Sequence, residues 1–325
     1  MTTQRPGLER PLLALTVGDP AGIGPEIVAR ALADARVTRA ARLLVIGPRF
    51  LRDELMTAAG GHRDVGWLDA DGDEPLERPE LGRAQLAGGR AALCALRRGH
   101  ELAIAGDVDG LVTAPVCKEA LHMAGEPVEG QTELLSRWAG ASDCQMLAIA
   151  GALRVLIATR HMALTAAIAS LTPELIAARL RLLDAGLREL GFTAPRLALA
   201  GLNPHASEGG LFGDEEARIL EPALAMVRAE GLDVTGPEPP DTVFVRAAAG
   251  RFDAVLALYH DQGFIPVKLA APDTGITLLL GMPYLRISAA HGTAFDIAGK
   301  GRANPENQIA ALLHGADFAR ARGRR

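Results

Sequence analysis

Lysine is almost missing from this chain. Of its 34 basic residues only Lys118, Lys268 and Lys300 are lysines. An Ala- and Arg-rich composition replaces lysine by arginine wherever any positive charge will do. The lysines that survive then mark places where a compact or tunable amine is needed. Cysteine is scarce as well. Cys94, Cys117 and Cys144 are odd in number and stand at unrelated spacings. That argues against a disulfide framework or a zinc finger and suits a cytoplasmic protein. No apolar run approaches the roughly 18 residues of a membrane-spanning helix. The opening MTTQRPGLERPL lacks the apolar core of a signal peptide. There is no basic block, the formal net charge is −5 and the pI is near 5.9, so nucleic acid is not expected as a main partner. Low-complexity segments and repeats of fixed period are absent too.

What is present is aliphatic. At 49% apolar, the 325 residues can bury a substantial core. Short aliphatic runs alternate with amphipathic stretches, the pattern of an α/β protein with a largely parallel sheet. Strands are expected at 12–17, 42–46, 111–113, 154–159, 196–200 and 254–259. A helix should begin near Pro25. Another should be capped by Thr172, with Pro173 at its first position, and stop at Gly191. Asp214 is expected to cap a third, with Glu215 and Glu216 set favourably against the helix dipole.

Three of these strands deliver a histidine at or just past their ends: His161 in LRVLIATRHMAL, His205 in PRLALAGLNPHASEGG, and His260 in VLALYHDQG, followed there by Asp261 and a flexible Gly. A lone histidine is more often a capping or packing residue. Three at the carboxyl edge of a parallel sheet, where ligands bind, point to a divalent metal with open coordination positions. Two Gly-rich loops stand out as well. GDPAGIGPEI, 18–27, follows a strand and opens a helix. It fails the dinucleotide fingerprint, which needs Gly at Ile27, and it is no P-loop, since GK[ST] is missing. HGTAFDIAGKGRANP, 291–305, holds an isolated Asp296. That carboxylate would accept hydrogen bonds from a ribose diol and repel a 2′-phosphate, preferring NAD to NADP.

Taken together, GDPAGIGPEI, TAPVCKEAL, GQTELL, ATRHMAL, GLNPHASEGGLFGDEE, PPDTVF, YHDQGFIPVKL, GMPYLR and HGTAFDIAGKG resemble the 4-hydroxythreonine-4-phosphate dehydrogenase family of vitamin B6 synthesis and its catabolic relatives, nearly end to end. The last segment is also similar to the adenine-binding loop of isopropylmalate and isocitrate dehydrogenases. The resemblance implies two interwoven α/β/α lobes of the isocitrate/isopropylmalate dehydrogenase-like fold with a cleft between them. The first lobe is expected over 1–128 and 255–325, with the cofactor loop and the N-terminal Gly/Pro loop. The second is expected over 129–254, with metal and substrate residues and the dimer contact. A homodimer with a shared active site is implied. His161, His205 and His260 would hold one divalent ion per subunit: Zn, Mg, Mn or Co. Gln131, Thr132, Lys268, Thr277 and Arg286 would contact substrate, and His291, Asp296 and Asn304 the NAD. Lys118 and Asp261 are candidates for the general base, although Asp261 equally suits a partner that orients a ligand histidine.

The implied reaction is NAD- and metal-dependent oxidation, with decarboxylation, of a 4-phosphorylated hydroxy acid, such as 4-phosphohydroxy-L-threonine to 3-amino-2-oxopropyl phosphate. 4-Phospho-D-threonate or erythronate and cis-dihydrodiols of aromatic dicarboxylates are the alternative substrates. A metal-dependent phosphate-ester binding protein or hydrolase without redox chemistry is the rival class. Three departures bear on the substrate. Gln131 replaces the His of GHTE, Thr277 stands where many members carry Asn, and Ala290 replaces a common Asp. Gln can donate and accept a hydrogen bond but cannot titrate near neutrality.

Overall fold

The computed structural model describes residues 10–323. The signal-peptide expectation rests largely on residues 1–9, which lie outside them. The chain divides into two compact units, Met1–Cys144 with Ile276–Arg325, and Gln145–Gly275. It leaves the first unit once and returns to it. These boundaries differ from the expected 128/129 and 254/255, and the pairing of the strand at 254–257 explains the second difference. Among the described residues no helix is long and apolar enough to cross a membrane.

In the first unit, β1 (Leu12–Thr16), β2 (Arg42–Gly47), β3 (Val65–Asp69) and β4 (Gly110–Thr113) are parallel. In the second, β5 (Gln145–Ala150) and β6 (Leu153–Ile157) form an antiparallel pair, and β7 (Leu197–Ala200), β8 (Val234–Glu238) and β9 (Ala254–Ala257) run parallel to β6. The returning chain adds β10 (Ile276–Leu280) and β11 (Arg286–Ala289) to the first unit. Strand order there is β3-β2-β1-β4-β11-β10, and in the second unit β5-β6-β9-β7-β8. The interior strands are near-continuous apolar runs, which is what a sheet covered on both faces requires. Leu13, Ala14 and Leu15 of β1 and Ala254, Val255 and Leu256 of β9 are fully buried.

β9 pairs with β6 on one side and β7 on the other. It therefore takes the following helix, His260–Ala270, into the second unit, and with it His260, Asp261 and Lys268. β9 is also shorter than its apolar run suggests. It ends at Ala257, and Tyr259 precedes a helix that starts at His260. Gly263 is no flexible tip. It is buried in that helix, where a Cβ would stand 2.9 Å from Ile157 Cγ2 and Val155 Cγ1. Thr172 caps the Pro173–Glu189 helix as expected, its hydroxyl accepting from Leu175 N–H at 3.1 Å. Asp214 offers no such side-chain cap. The helical run begins at Glu216, and the Asp214 carboxylate faces Arg218 at 3.6 Å.

Candidate active site

The expected site residues fall into two groups, one in each unit. In the first unit the group is built on β11 and the helix Gln131–Trp138. Arg286 opens β11 and is 1% exposed. Its Nη2 donates to Thr113 Oγ1 on β4 at 2.9 Å, and its Nε has no partner. Burial pulls the guanidinium down to about 10, with Tyr284 and the Glu133 carboxylate acting in the opposite direction, so it stays cationic at neutral pH. Two residues along the same face, Ser288 shares a 2.8 Å hydroxyl bond with Thr277 of β10. Thr277 is thus engaged across the β10–β11 pair.

Glu133, whose charge reaches Arg286, lies in the first turn of the Gln131–Trp138 helix. In the same turn Thr132 is buried, and Gln131 holds its Oε1 buried without a partner. Gly130 precedes that turn. A Cβ there would stand 3.9 Å from Lys118 Cε, so the lysine stem lies beside the helix start. The Gly-rich loop lies further along. The Asp296 carboxylate is exposed, while its carbonyl accepts from Lys300 Nζ at 2.6 Å. His291 places Nδ1 3.0 Å from Gly292 O and leaves Nε2 buried without a partner. Asn304 Oδ1 accepts from Glu306 N–H at 3.1 Å at the start of the last helix, so its free chemistry is the amide nitrogen. The 18–24 loop supports this one, Ile23 N–H donating to Thr293 O at 2.9 Å.

The second unit brings His161 and His260 together, their ring centroids 5.4 Å apart. They line a cavity of about 260 Å³ with Arg160, Met162, Tyr259 and Asp261. His260 stacks on Phe264, one turn along its helix, at 4.5 Å, and its Nδ1 lies 2.7 Å from Asp261 Oδ1. His205 Nδ1 lies 2.7 Å from Glu208 Oε2. A carboxylate on Nδ1 fixes the tautomer and leaves Nε2 as the acceptor atom, so the donor chemistry of His205 and His260 suits a divalent ion. Among the described residues no three His, Cys, Asp or Glu side chains stand together as a metal-holding group. His205 sits on a segment of its own, in which His205, Ala206, Ser207 and Glu208 all have positive φ, between 47° and 66°. Such a run costs roughly 1–2 kcal/mol per residue and persists only where its surroundings hold it. Lys268 is exposed in the last turn of the His260–Ala270 helix.

Three contributors are not among the site residues expected from the sequence. Glu216 is 2% exposed, and its Oε1 accepts from the N–H groups of Leu202 and Asn203 at 2.8 and 2.7 Å. It therefore braces the approach to His205, rather than serving a helix dipole. Thr159 and Gln262 bond to the strand ends beside the histidines. An acidic pair after GD looks like a helix start in any chain. Only the buried partners, 13 and 14 residues upstream, reveal Glu216.

Residues 31–314 match the family described as pyridoxal phosphate biosynthetic protein PdxA. The chain belongs to the PdxA family. It is an oxidoreductase of the kind that acts on a CH–OH group. The D-threonate 4-phosphate dehydrogenase of Salmonella typhimurium is 41% identical over 322 residues, 94% of this chain and 98% of that protein. The 4-hydroxythreonine-4-phosphate dehydrogenase of Geobacter metallireducens is 41% identical over 329 residues, 97% of each. The crystal structure of 4-hydroxythreonine-4-phosphate dehydrogenase from Klebsiella pneumoniae superposes with a TM-score of 0.85 at 38% identity, covering 96% of this chain and 98% of that one. The PdxA-family fold expected from the motifs is borne out by that superposition.

Proposed function

We propose that the protein catalyses NAD- and divalent-metal-dependent oxidation of a 4-phosphorylated hydroxy acid, with loss of CO2 from the keto acid formed. Arg286 carries the reading. A fully buried guanidinium with an unpartnered Nε calls for an anion, and a phosphate or carboxylate accepts from it in bidentate form. Thr132 and Gln131 add polar groups in the helix turn whose charge Arg286 feels. Lys268 is the second clamp for the anion. Thr277, held by Ser288 two residues along the strand from Arg286, is assigned to substrate contact as well. Asp296, His291 and Asn304 are assigned to the nucleotide. The exposed Asp296 carboxylate suits a ribose diol and disfavours NADP.

NAD held by His291, Asp296 and Asn304 would supply the hydride acceptor, so that the substrate carbon, losing its hydroxyl proton and a hydride, becomes a ketone. Where that ketone is β to a carboxylate, the bond to the carboxylate breaks, CO2 departs and the carbon takes up a proton. A divalent ion (Zn, Mg, Mn or Co) on His161, His205 and His260 would lower the hydroxyl pKa and stabilise the oxygen that becomes negative. Lys118, beside the turn that holds Gln131 and Thr132, is the candidate proton acceptor. Asp261 is mostly exposed and engaged with His260 Nδ1, which suits orientation of the imidazole.

A cytoplasmic homodimer with a shared site belongs to the same reading. Among the described residues nine of the 13 exposed large apolar side chains lie in the second unit, including Val245, Ile265 and Leu269. A non-redox phosphate-ester hydrolase would have no use for the Asp296 loop. The test is a substrate panel with purified protein, NAD and each metal, read by NADH absorbance. It comprises 4-phosphohydroxy-L-threonine, 4-phospho-D-threonate, 4-phospho-D-erythronate and a cis-dihydrodiol of an aromatic dicarboxylate. Turnover of a phosphorylated acid, faster with NAD than NADP, is expected. No turnover, together with no NAD binding by calorimetry, overturns the reading.

A further inference from the structure

We infer that Thr159 and Gln262 are positioning residues that clasp the ends of β6, β9 and β7 and thereby set the three histidines. The inference rests on the metal role given above to His161, His205 and His260. The clasp centres on the peptide groups of Leu258, two residues before His260. The Leu258 carbonyl accepts from Thr159 Oγ1 at 2.8 Å, and its N–H donates to Gln262 Oε1 at 2.6 Å. Gln262 Nε2 in turn donates to the carbonyl of Gly201 at 2.7 Å. Thr159 stands two residues before His161, and Gly201 four before His205. Two side chains and one residue's backbone thus join three neighbouring strand ends, each within four residues of a histidine.

The ordinary sheet ladder does not reach this far. Its last registered pairs are Ile157 with Ala257 and Leu199 with Leu256. Ala158 N–H still donates to Ala257 O at 2.8 Å. Beyond that, the side chains of Thr159 and Gln262 take over the tie from β6 through β9 to β7. Both are buried, at 4% and 9% exposure. Space-filling alone asks for no amide here. An apolar side chain of the same size would fill the volume and leave Leu258 and Gly201 unpaired. Glu216 holds the next two N–H groups, of Leu202 and Asn203, so the chain running to His205 is fixed at three successive residues.

The test is a cobalt(II) titration of the metal-stripped full-length protein, comparing wild type with Gln262→Met, Thr159→Val and Thr159→Ser. The readouts are the ligand-field spectrum and, at the same temperature, far-UV circular dichroism. Partners bonded to the rings of metal-binding histidines set affinity by about ten- to a hundredfold, and Thr159 and Gln262 act on the same histidines through the backbone, at the lower end of that range. Gln262→Met and Thr159→Val should therefore bind cobalt about tenfold more weakly with an altered band while remaining folded. Thr159→Ser, which keeps the hydroxyl, should recover most of the loss. Folded Met and Val variants that bind cobalt as wild type does would overturn the inference, leaving these bonds a role in stability alone. If Gln262→Met does not fold, the Val and Ser pair decides. A wild type that takes up no cobalt would overturn the metal reading, and the clasp with it, and that outcome is separate from a variant without effect.

Discussion

Asp19 lies just past β1 with no exposure to water, between a loop and the start of the Leu86–Ala105 helix. A Cβ on Gly88 of that helix would stand 2.5 Å from Asp19 Oδ1. Oδ1 accepts from Ala21 N–H at 2.9 Å, while Oδ2 has no partner. Burial raises the carboxyl to about 6, and the Ala21 N–H opposes it without cancelling it. The folded protein therefore binds this proton more tightly than the unfolded chain does. Stability from this group is greatest below pH 4 and is lost as pH rises from about 4 to about 6, by about 3 kcal/mol at most. Asp19→Asn cannot titrate. Its melting temperature relative to wild type should rise by several degrees between pH 4.5 and 7.5, roughly 2–4 °C per kcal/mol. Thermal melts at the two pH values, monitored by circular dichroism, give the comparison. A constant difference would mean that Asp19 is ionised at no cost.

At the scale of the element, the His260–Ala270 helix owes its seat to one missing side chain. A Cβ on Gly263 would meet Ile157 Cγ2 and Val155 Cγ1 at 2.9 Å and Ala257 Cβ at 3.2 Å. Val and Ile are stiff at χ1 and cannot turn aside. Gly263→Ala gains up to about 1 kcal/mol of helix propensity, but overpacking costs about 1–3 kcal/mol, so net destabilisation is expected. Thermal unfolding should occur several degrees lower, and an alanine variant more stable than wild type would refute the close approach. The same segment shows what was legible in the sequence. Apolar runs marked β1, β2, β4, β6, β7 and β9, and Thr172-Pro173 marked a helix start, because each is a local signal. β3, β5, β8, β10 and β11 were not expected, and for β10 and β11 the antiparallel pairing is defined by partners in space. His161 and His260 could be paired from their places at strand ends. The left-handed turn under His205 and the inward Glu216 could not, because both depend on contacts many residues away.

At the scale of the whole molecule, the exposed apolar surface of the second unit calls for a cover. Ile265 is 57% exposed and Leu269 80%, one turn apart on the His260–Ala270 helix. Val245, 70% exposed, joins them around a cavity of about 390 Å³ with Phe244 and Pro266. A contiguous apolar patch rimmed by polar groups is rarely left to solvent, and a second copy of the chain is the occupant that the shared-site reading requires. Because the same helix begins with His260, covering this face also fixes the segment that carries an expected metal ligand. Ile265→Glu combined with Leu269→Glu places two carboxylates in that face, and in a dimer they would be desolvated without partners. Sedimentation velocity should show wild type at twice the 34.1 kDa chain mass and the double variant at the chain mass. Turnover should fall with it, since a shared site is lost along with its partner. A double variant that still sediments as a dimer would show that this face is not the interface. A fully active monomer would show that one chain completes the site alone.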